Sequence, residues 1–232
     1  MIEILFEDGE ALVIDKPSGL SVERPRKGGP SLEDHIEQLK MGFQRPPVAV
    51  HRLDTDTSGC LLLARNPKAL KRFNRAFEER LPQKTYLGIL AGVPAEQEGV
   101  IELALSKISS AEKGWRMIPA KKGKPALTHW RLVREVPGGG SLVEFKPETG
   151  RTHQIRVHAA SGLGFPLIGD PVYGDGKGAQ RTMLHASALV IPRGSEEGGK
   201  PDIVAHAPMP DDFAALANGA PIPDNTHIEA DG

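Results

Sequence analysis

The sequence predicts an α+β domain on a largely antiparallel or mixed central sheet, flanked by helices and loops. Three observations lead there. Apolar and β-branched runs of strand length outnumber runs with helical spacing. The gaps between them are too irregular for repeating βαβ units. Gly and Pro, 26 and 20 of 232 residues, cut the chain into short pieces.

In chain order, residues 2–6 and 11–15 read as two short strands joined by a turn at Asp8-Gly9. Lys16-Pro17-Ser18-Gly19 stops the second strand, because proline and glycine both oppose its continuation. Residues 24–30 form a basic, glycine-rich loop. Ser31, with Asp34 three residues on, caps a helix that puts Leu32, Ile36 and Leu39 on one face. Asn66-Pro67 starts the clearest helix, with a capping side chain, proline at the first helical position, and Leu70, Phe73 and Phe77 at helical spacing. Its other face carries Lys68, Lys71, Arg72 and Arg75. Residues 86–91, 100–105, 128–136 and 141–145 read as strands, 154–160 as a short helix, and 183–191 and 203–205 as late strands. Residues 1–218 are expected to form one domain, and 219–232, polar and proline-rich, a poorly ordered tail.

With 39% hydrophobic and 25% charged residues, the composition is that of a soluble globular protein. No apolar run approaches the roughly 20 residues that span a bilayer. The start, MIEILFEDGE, lacks the basic stretch of a secretory signal. Cys60, the single cysteine, allows neither an intrachain disulfide nor a multi-cysteine zinc site. A reducing, cytoplasmic setting is expected. Net charge is −1, but residues 194–232 alone carry −7, which leaves +6 on residues 1–193. Phosphate binding needs local positive surface rather than a basic average, so this distribution permits a nucleic-acid partner without demonstrating one.

Chemistry is concentrated in residues 51–65, HRLDTDTSGCLLLAR, where a polar loop runs straight into an apolar strand. A rigid strand behind a polar loop is a common support for reactive groups. The residues alone leave several roles open. Asp54 suits a nucleophile or general base. His51, Asp54 and Asp56, with His153 from further along, suit a metal-dependent hydrolase, although the spacing matches no recognised ligand pattern. Asp56 or Thr57 suits the satisfaction of loop backbone groups. A second cluster, ETGRTHQIRVH at 148–158, places His153 between Arg151 and Arg156, and arginine makes planar bidentate contacts with carboxylate or phosphate. A third, GLGFPLIGDPVYG at 162–174, has the glycines and prolines that fix Asp170 and Tyr173 in a loop. Neither a strand-to-helix Gly-x-Gly-x-x-Gly pattern nor a P-loop is present.

HRLDTDTSG followed by LLLAR resembles the signature of RluA-type pseudouridine synthases. The resemblance extends through KPSG at 16–19, KTY at 84–86, TGRTHQIRVHAA from Thr149, PLIGDPVYG from Pro166 and LHASAL from Leu184, in the family's order. Three departures stand out. The chain opens directly on these motifs, without the S4-like RNA-binding domain that precedes them in some members. Phe165 stands where histidine is common before Pro-Leu, and Cys60 where Leu or Val is usual.

The resemblance implies a pseudouridine synthase fold and an enzyme that isomerises uridine in structured RNA, with no metal and no organic cofactor. In this reading Asp54 is the essential carboxylate, acting by covalent attack or by proton abstraction. Arg156 lies against it. Tyr86 stacks on the extruded uracil and assists removal of the C5 proton. Arg52 fills the space of the flipped base or holds the nucleotide. Ile155 and Leu184 wall the pocket, and His51, Thr57, Arg151 and His153 complete the substrate-binding set. The expected partner is a stem-loop of transfer or ribosomal RNA, contacted further by the 24–27 loop, the helix from Lys68 to Arg80, and Lys121, Lys122 and Lys124. The enzyme is expected to be a monomer. The competing readings are the metal-dependent hydrolase and an RNA-binding module that has lost catalysis.

Overall fold

The computed structural model describes residues 2–26, 28–110, 114–193 and 200–218. Strands β1 (Glu3–Glu7) and β2 (Ala11–Lys16) pair antiparallel around a turn in which Asp8 Oδ1 accepts the Glu10 and Ala11 N–H groups, both at 2.8 Å. The helix expected after Ser31 is shorter and tighter than its spacing suggests. It consists of two 3-10 turns, Leu32–His35 and Gln38–Lys40, although the Asp34 carboxylate does accept the Ser31 N–H at 2.9 Å. Leu32 and Leu39 are buried as expected.

A two-residue strand, β3 (Val48–Ala49), precedes the polar loop, which enters β4 (Ser58–Ala64). Every residue of β4 is buried, so it is packed on both faces. Helix α1 (Pro67–Glu78) forms where capping and spacing place it, and Asn66 Oδ1 accepts the Ala69 N–H at 2.8 Å. Its Ala69 and Phe73 cover one face of β2 and β4, together with Val13, Cys60 and Leu62. Leu12, Ile14, Leu61 and Leu63 fill the opposite face with Leu20, Leu32, Leu39 and Leu53.

The remaining strands are β5 (Gln83–Leu90), β6 (Glu98–Glu102), β7 (Leu105–Ser110), β8 (Gly114–Pro119), β9 (Leu127–Val136), β10 (Gly140–Pro147), β11 (Leu184–Ile191) and β12 (Ile203–His206). The strand expected at 100–105 is thus the end of β6 and the start of β7. Helix α2 (Gln154–Val157) runs on into a wider π turn, His158–Gly162, and α3 (Asp211–Asn218) packs Phe213, Leu216 and Ala217 against Ile89, Val136 and Leu142. The segment expected as a tail, 219–232, lies outside the described residues.

The main sheet runs β1-β2-β4-β11-β5-β10-β9-β6, with β3 on β4 and β12 on β11, while β7 and β8 form a separate two-stranded sheet. All pairs are antiparallel except β4 with β11, so the sheet is mixed. That parallel joint needs Gly59. Its φ is +107°, and a Cβ there would lie 2.2 Å from the Ala186 carbonyl oxygen, closer than any side chain can approach. The joint brings the loop before β4 to the middle of the sheet, beside the ends of β11 and β5.

Buried histidines make the fold sensitive to acid. Burial, opposed by the Leu103 backbone, pulls His158 down to about 4, and burial likewise lowers His185. Burial and the nearby Lys84 charge lower His51 to about 4. A histidine with a depressed folded pKa binds its proton more readily in the unfolded chain. Its stability contribution is therefore complete above the unfolded value of about 6.5 and falls as pH drops toward the folded value. His158 alone should cost about 3 kcal/mol at pH 4. Urea midpoints should fall steadily between pH 6.5 and 4.5, and a flat midpoint across that range would contradict the assignment.

Candidate active site

Lys16 is fully buried, and its ammonium donates to the carbonyls of Pro17, Leu20 and Thr55 at 2.9, 2.8 and 3.0 Å. Three donors meet three acceptors, so the buried charge is fully solvated by backbone. Burial, opposed by Asp56 and Asp54, brings its pKa down to about 8. The Gly19 N–H also reaches the Thr55 carbonyl, and the Ser18 hydroxyl and Arg181 Nη1 both donate to the Asp56 carbonyl, at 2.9 and 3.1 Å. The KPSG segment is therefore a clamp on the loop that presents Asp54. On the far side of that loop, the Ser58 hydroxyl donates to His185 Nδ1 at 2.9 Å while His185 Nε2–H donates to the Ala207 carbonyl at 3.2 Å.

The TGRTHQ segment is organised around one buried amide. Gln154 Oε1 accepts from the Thr149 hydroxyl and the Arg151 N–H, and its Nε2 donates to the Leu127 carbonyl and Thr128 Oγ1, all within 3.0 Å. All four hydrogen-bonding positions of the amide are used. This fixes the start of α2, and it holds His153 in the left-handed region at φ +53°. A non-glycine residue there costs roughly 1–2 kcal/mol, a strain that tends to persist at functional sites.

Arg156 and His153 consequently meet Asp54. Arg156 Nη1 lies 3.3 Å from Asp54 Oδ2, and His153 Nε2 lies 3.7 Å from the same oxygen. The tighter partner of Arg156 is Asp170, fully buried, whose two oxygens accept Nε and Nη2 at 2.8 Å each. Asp170 also accepts the Val172 and Tyr173 N–H groups. Burial raises its pKa, but the Arg156 guanidinium and these two donors outweigh burial and hold it below the ordinary carboxylate value. Burial lowers the Arg156 pKa, and the two aspartates more than reverse that.

A hydrogen-bonded relay sets the tautomer of His153. The Tyr173 hydroxyl accepts the Met117 N–H at 3.0 Å and lies 2.9 Å from His153 Nδ1. Burial lowers the His153 pKa, so the ring is neutral at pH 7 and carries one proton. With that proton on Nε2, the N–H points at the Asp54 carboxylate; on Nδ1, a lone pair would oppose it. The first arrangement is favoured, and Tyr173 then donates to Nδ1.

Tyr86 on β5 packs in one apolar cluster with Ile155 and Leu184, which are 6% and 4% exposed. Burial, then the Asp54 charge, raises the phenol's pKa, so it is protonated at neutral pH. All ten residues singled out by the resemblance, Asp54, Tyr86, Arg156, Arg52, His51, Thr57, Arg151, His153, Ile155 and Leu184, line one cavity of about 510 Å³. Its volume is that of a small-molecule site. Within this set His51 is committed to the backbone: its Nε2 accepts the Leu62 N–H at 3.0 Å and its ring stacks on Phe77. The metal-ligand reading loses a donor there, and among the described residues no three His, Cys, Asp or Glu side chains converge as ligands.

The family model described as RNA pseudouridylate synthase matches residues 10–161. The chain belongs to that family. The synthase is 53% identical to an uncharacterized RNA pseudouridine synthase of Zymomonas mobilis, over 92% of this chain and 96% of the relative. It is 37% identical to the dual-specificity RNA pseudouridine synthase RluA of Escherichia coli, over 81% of this chain and 85% of that one. Among solved structures it resembles human RNA pseudouridylate synthase domain containing 4, with a TM-score of 0.73, 26% identity and coverage of 91% and 90%. It also resembles human RNA pseudouridylate synthase domain containing 1, with a TM-score of 0.72, 32% identity and coverage of 90% and 84%. The synthase is an isomerase acting on RNA, with the pseudouridine synthase fold.

Of the departures from the family pattern, neither Phe165 nor Cys60 lines the cavity. Phe165 packs its ring against Gly92, where a Cβ would come within 2.1 Å of it, and Cys60 is core, its pKa pushed up to about 12 by burial. The expected basic face of α1 is half neutralised, since Arg72 pairs with Glu10 and Arg75 with Glu79; Arg24 likewise pairs with Glu33 and Asp34. Lys27 lies outside the described residues. Sequence reasoning placed Arg80 only at the end of an RNA-contacting helix and Lys84 only in the KTY motif, yet both line the cavity. Arg80 sits at φ +59°, which no sequence pattern announces.

Among the described residues Arg52 and Arg151 face the cavity with no carboxylate partner. Each released phosphate counterion adds close to one unit to the salt slope of RNA binding. Arg52→Ala and Arg151→Ala should each flatten that slope by roughly 0.7–0.9, whereas Arg75→Ala should leave it unchanged. A filter-binding series across salt concentrations checks this, and equal slopes for all three variants would contradict it.

Proposed function

We propose that the synthase converts specific uridines of a transfer-RNA or ribosomal-RNA stem-loop to pseudouridine, using Asp54 on a flipped-out nucleotide and no cofactor. The carrying observation is the Asp54–Arg156–Asp170 array, whose Asp54 and Arg156 line the cavity while Asp170 is buried behind them. The reaction breaks the N1–C1′ bond, turns the uracil and forms a C5–C1′ bond. The C5 proton is lost and N1 gains one, so the product is an isomer. No electrons or groups are exchanged with a third molecule, and the chemistry requires neither metal nor redox cofactor.

Asp54 is the group that reacts, either with the sugar or by taking a proton. Its carboxylate is 22% exposed toward the cavity, while its partner Arg156 is anchored from behind. Arg156 orients that carboxylate. Tyr86, Ile155 and Leu184 supply a stacking face and apolar walls for the uracil, a target that no enzyme reaches while it is stacked in RNA. A phenol held protonated serves first as a stacking and hydrogen-bonding group, so we assign Tyr86 that role ahead of any proton abstraction. Arg52 and Arg151 take phosphate or fill the vacated stack.

The stem-loop assignment draws on the compact cavity and on relatives named as a dual-specificity RNA pseudouridine synthase and, in Rickettsia bellii, as ribosomal large subunit pseudouridine synthase C. We further propose that the enzyme works as a cytoplasmic monomer. The test is pseudouridine mapping of total RNA from cells with and without the gene, paired with tritium release from RNA labelled at uridine C5. A site lost on deletion and restored by the wild-type gene supports the proposal. Unchanged pseudouridine in both RNA classes, with no tritium release in vitro, would overturn it.

A further inference from the structure

We infer that Trp115, on β8 of the small two-stranded sheet, is a stacking platform for a nucleotide flanking the target uridine. The inference rests on the RNA reading above and adds a contact outside the cavity lining. The chain has two tryptophans. Trp130 is core, at 7% exposed, whereas Trp115 is 46% exposed. One face of its indole lies on His153, with ring centroids 4.9 Å apart and planes at 30°. His153 in turn lies 3.7 Å from the Asp54 carboxylate, so the indole flanks the reacting group with one ring between them. The plane is held by a second contact. Met117, two residues along the same strand, donates its N–H to the Tyr173 hydroxyl that also bonds His153.

Lys107, from the paired strand, also lies over the indole, its Nζ 4.9 Å from the ring centroid. It has no carboxylate partner among the described residues. A cation–π contact at an exposed site is worth roughly 0.5–1 kcal/mol, whereas a base stacked on an aromatic ring is worth about 1–3 kcal/mol. On this comparison a nucleobase out-competes the lysine for the indole, and the displaced ammonium is free to meet RNA phosphate. An indole serving only to cover His153 would not need that exposure.

The test compares Trp115→Ala and Trp115→Phe on the C5-tritiated RNA that supports turnover by the wild-type protein. Trp115→Ala should raise both KM and the RNA Kd by roughly 5- to 100-fold, with kcat within about threefold of wild type. Trp115→Phe should recover most of that affinity. In a Trp130→Phe protein, the remaining indole emission should be quenched as RNA saturates. Three results would overturn the inference: Kd within twofold of wild type for Trp115→Ala, emission insensitive to RNA, or a fall in kcat with Kd unchanged, which would mark Trp115 as a support for His153 alone. If the wild-type protein releases no tritium from any RNA, the synthase reading fails first and this inference with it.

Discussion

Asp54→Asn should lower isomerisation by at least about 10⁴-fold, the scale on which removal of an essential reactive group is felt. The Kd for RNA should move less than about threefold and the melting temperature hardly at all. Asparagine keeps the shape of the side chain. The loop that carries it is fastened through the Thr55 and Asp56 carbonyls by Lys16, Ser18 and Arg181, not through the carboxylate. Arg156 keeps its two bonds to Asp170, so no cation is stranded. The loss would therefore be chemical. Tritium release, filter binding and thermal melting on the same preparation separate these quantities, and turnover within tenfold of wild type would remove Asp54 from the reaction.

Asp170→Asn should behave in the opposite way and damage the fold as well as the rate. Removing one member of a buried ion pair costs about 3–5 kcal/mol, because the remaining charge stays buried. Arg156 is 9% exposed and would keep Asp54, at 3.3 Å, as its one anionic partner among the described residues. An Asn amide group facing the guanidinium would add a donor-to-donor conflict. Misplacing Arg156 by about 1 Å is enough to cost roughly 10²-fold in rate. We expect a clear drop in the urea midpoint, kcat reduced by about 100-fold and KM changed only a few-fold. A variant with wild-type stability and kcat would show that Asp54 and the loop position Arg156 without Asp170.

The sequence was most legible where local physics acts alone. Asn66-Pro67 specifies the start of α1 as expected, and of its apolar positions Phe73 is buried, with Ala69 and Ala76, while Leu70 and Phe77 are half-buried against the same cluster. The site was legible because its motifs are contiguous: ten named residues from four segments line one cavity. The bidentate Asp170–Arg156 pair was not, because each residue sits in its own motif and only the fold brings them together. The β7–β8 hairpin escaped notice because it stands off the main sheet and much of it is exposed, which blurs the alternation that marks a strand. Helix α3 follows Pro210 within an acidic stretch, yet Phe213, Leu216 and Ala217 at helical spacing were available to be read. The segment after Ser31 carries helical spacing but resolves into 3-10 turns, with Met41 in a left-handed conformation just after them.

The parallel joint between β4 and β11 bears on the order of events during synthesis. Ser58 and His185, hydrogen-bonded across it, are 127 residues apart in the chain, and Asp54 and Arg156 are 102 apart. Contacts of such separation form slowly, since a long loop must close before they repay its entropy. At about 5–20 residues per second, a ribosome takes on the order of ten seconds to go from one side of the joint to the other. Throughout that interval β4, an apolar strand meant to be covered on both faces, has an open edge where β11 will lie. The nascent synthase therefore passes through a stage that is catalytically blank and aggregation-prone, and full activity arrives only with the last third of the chain.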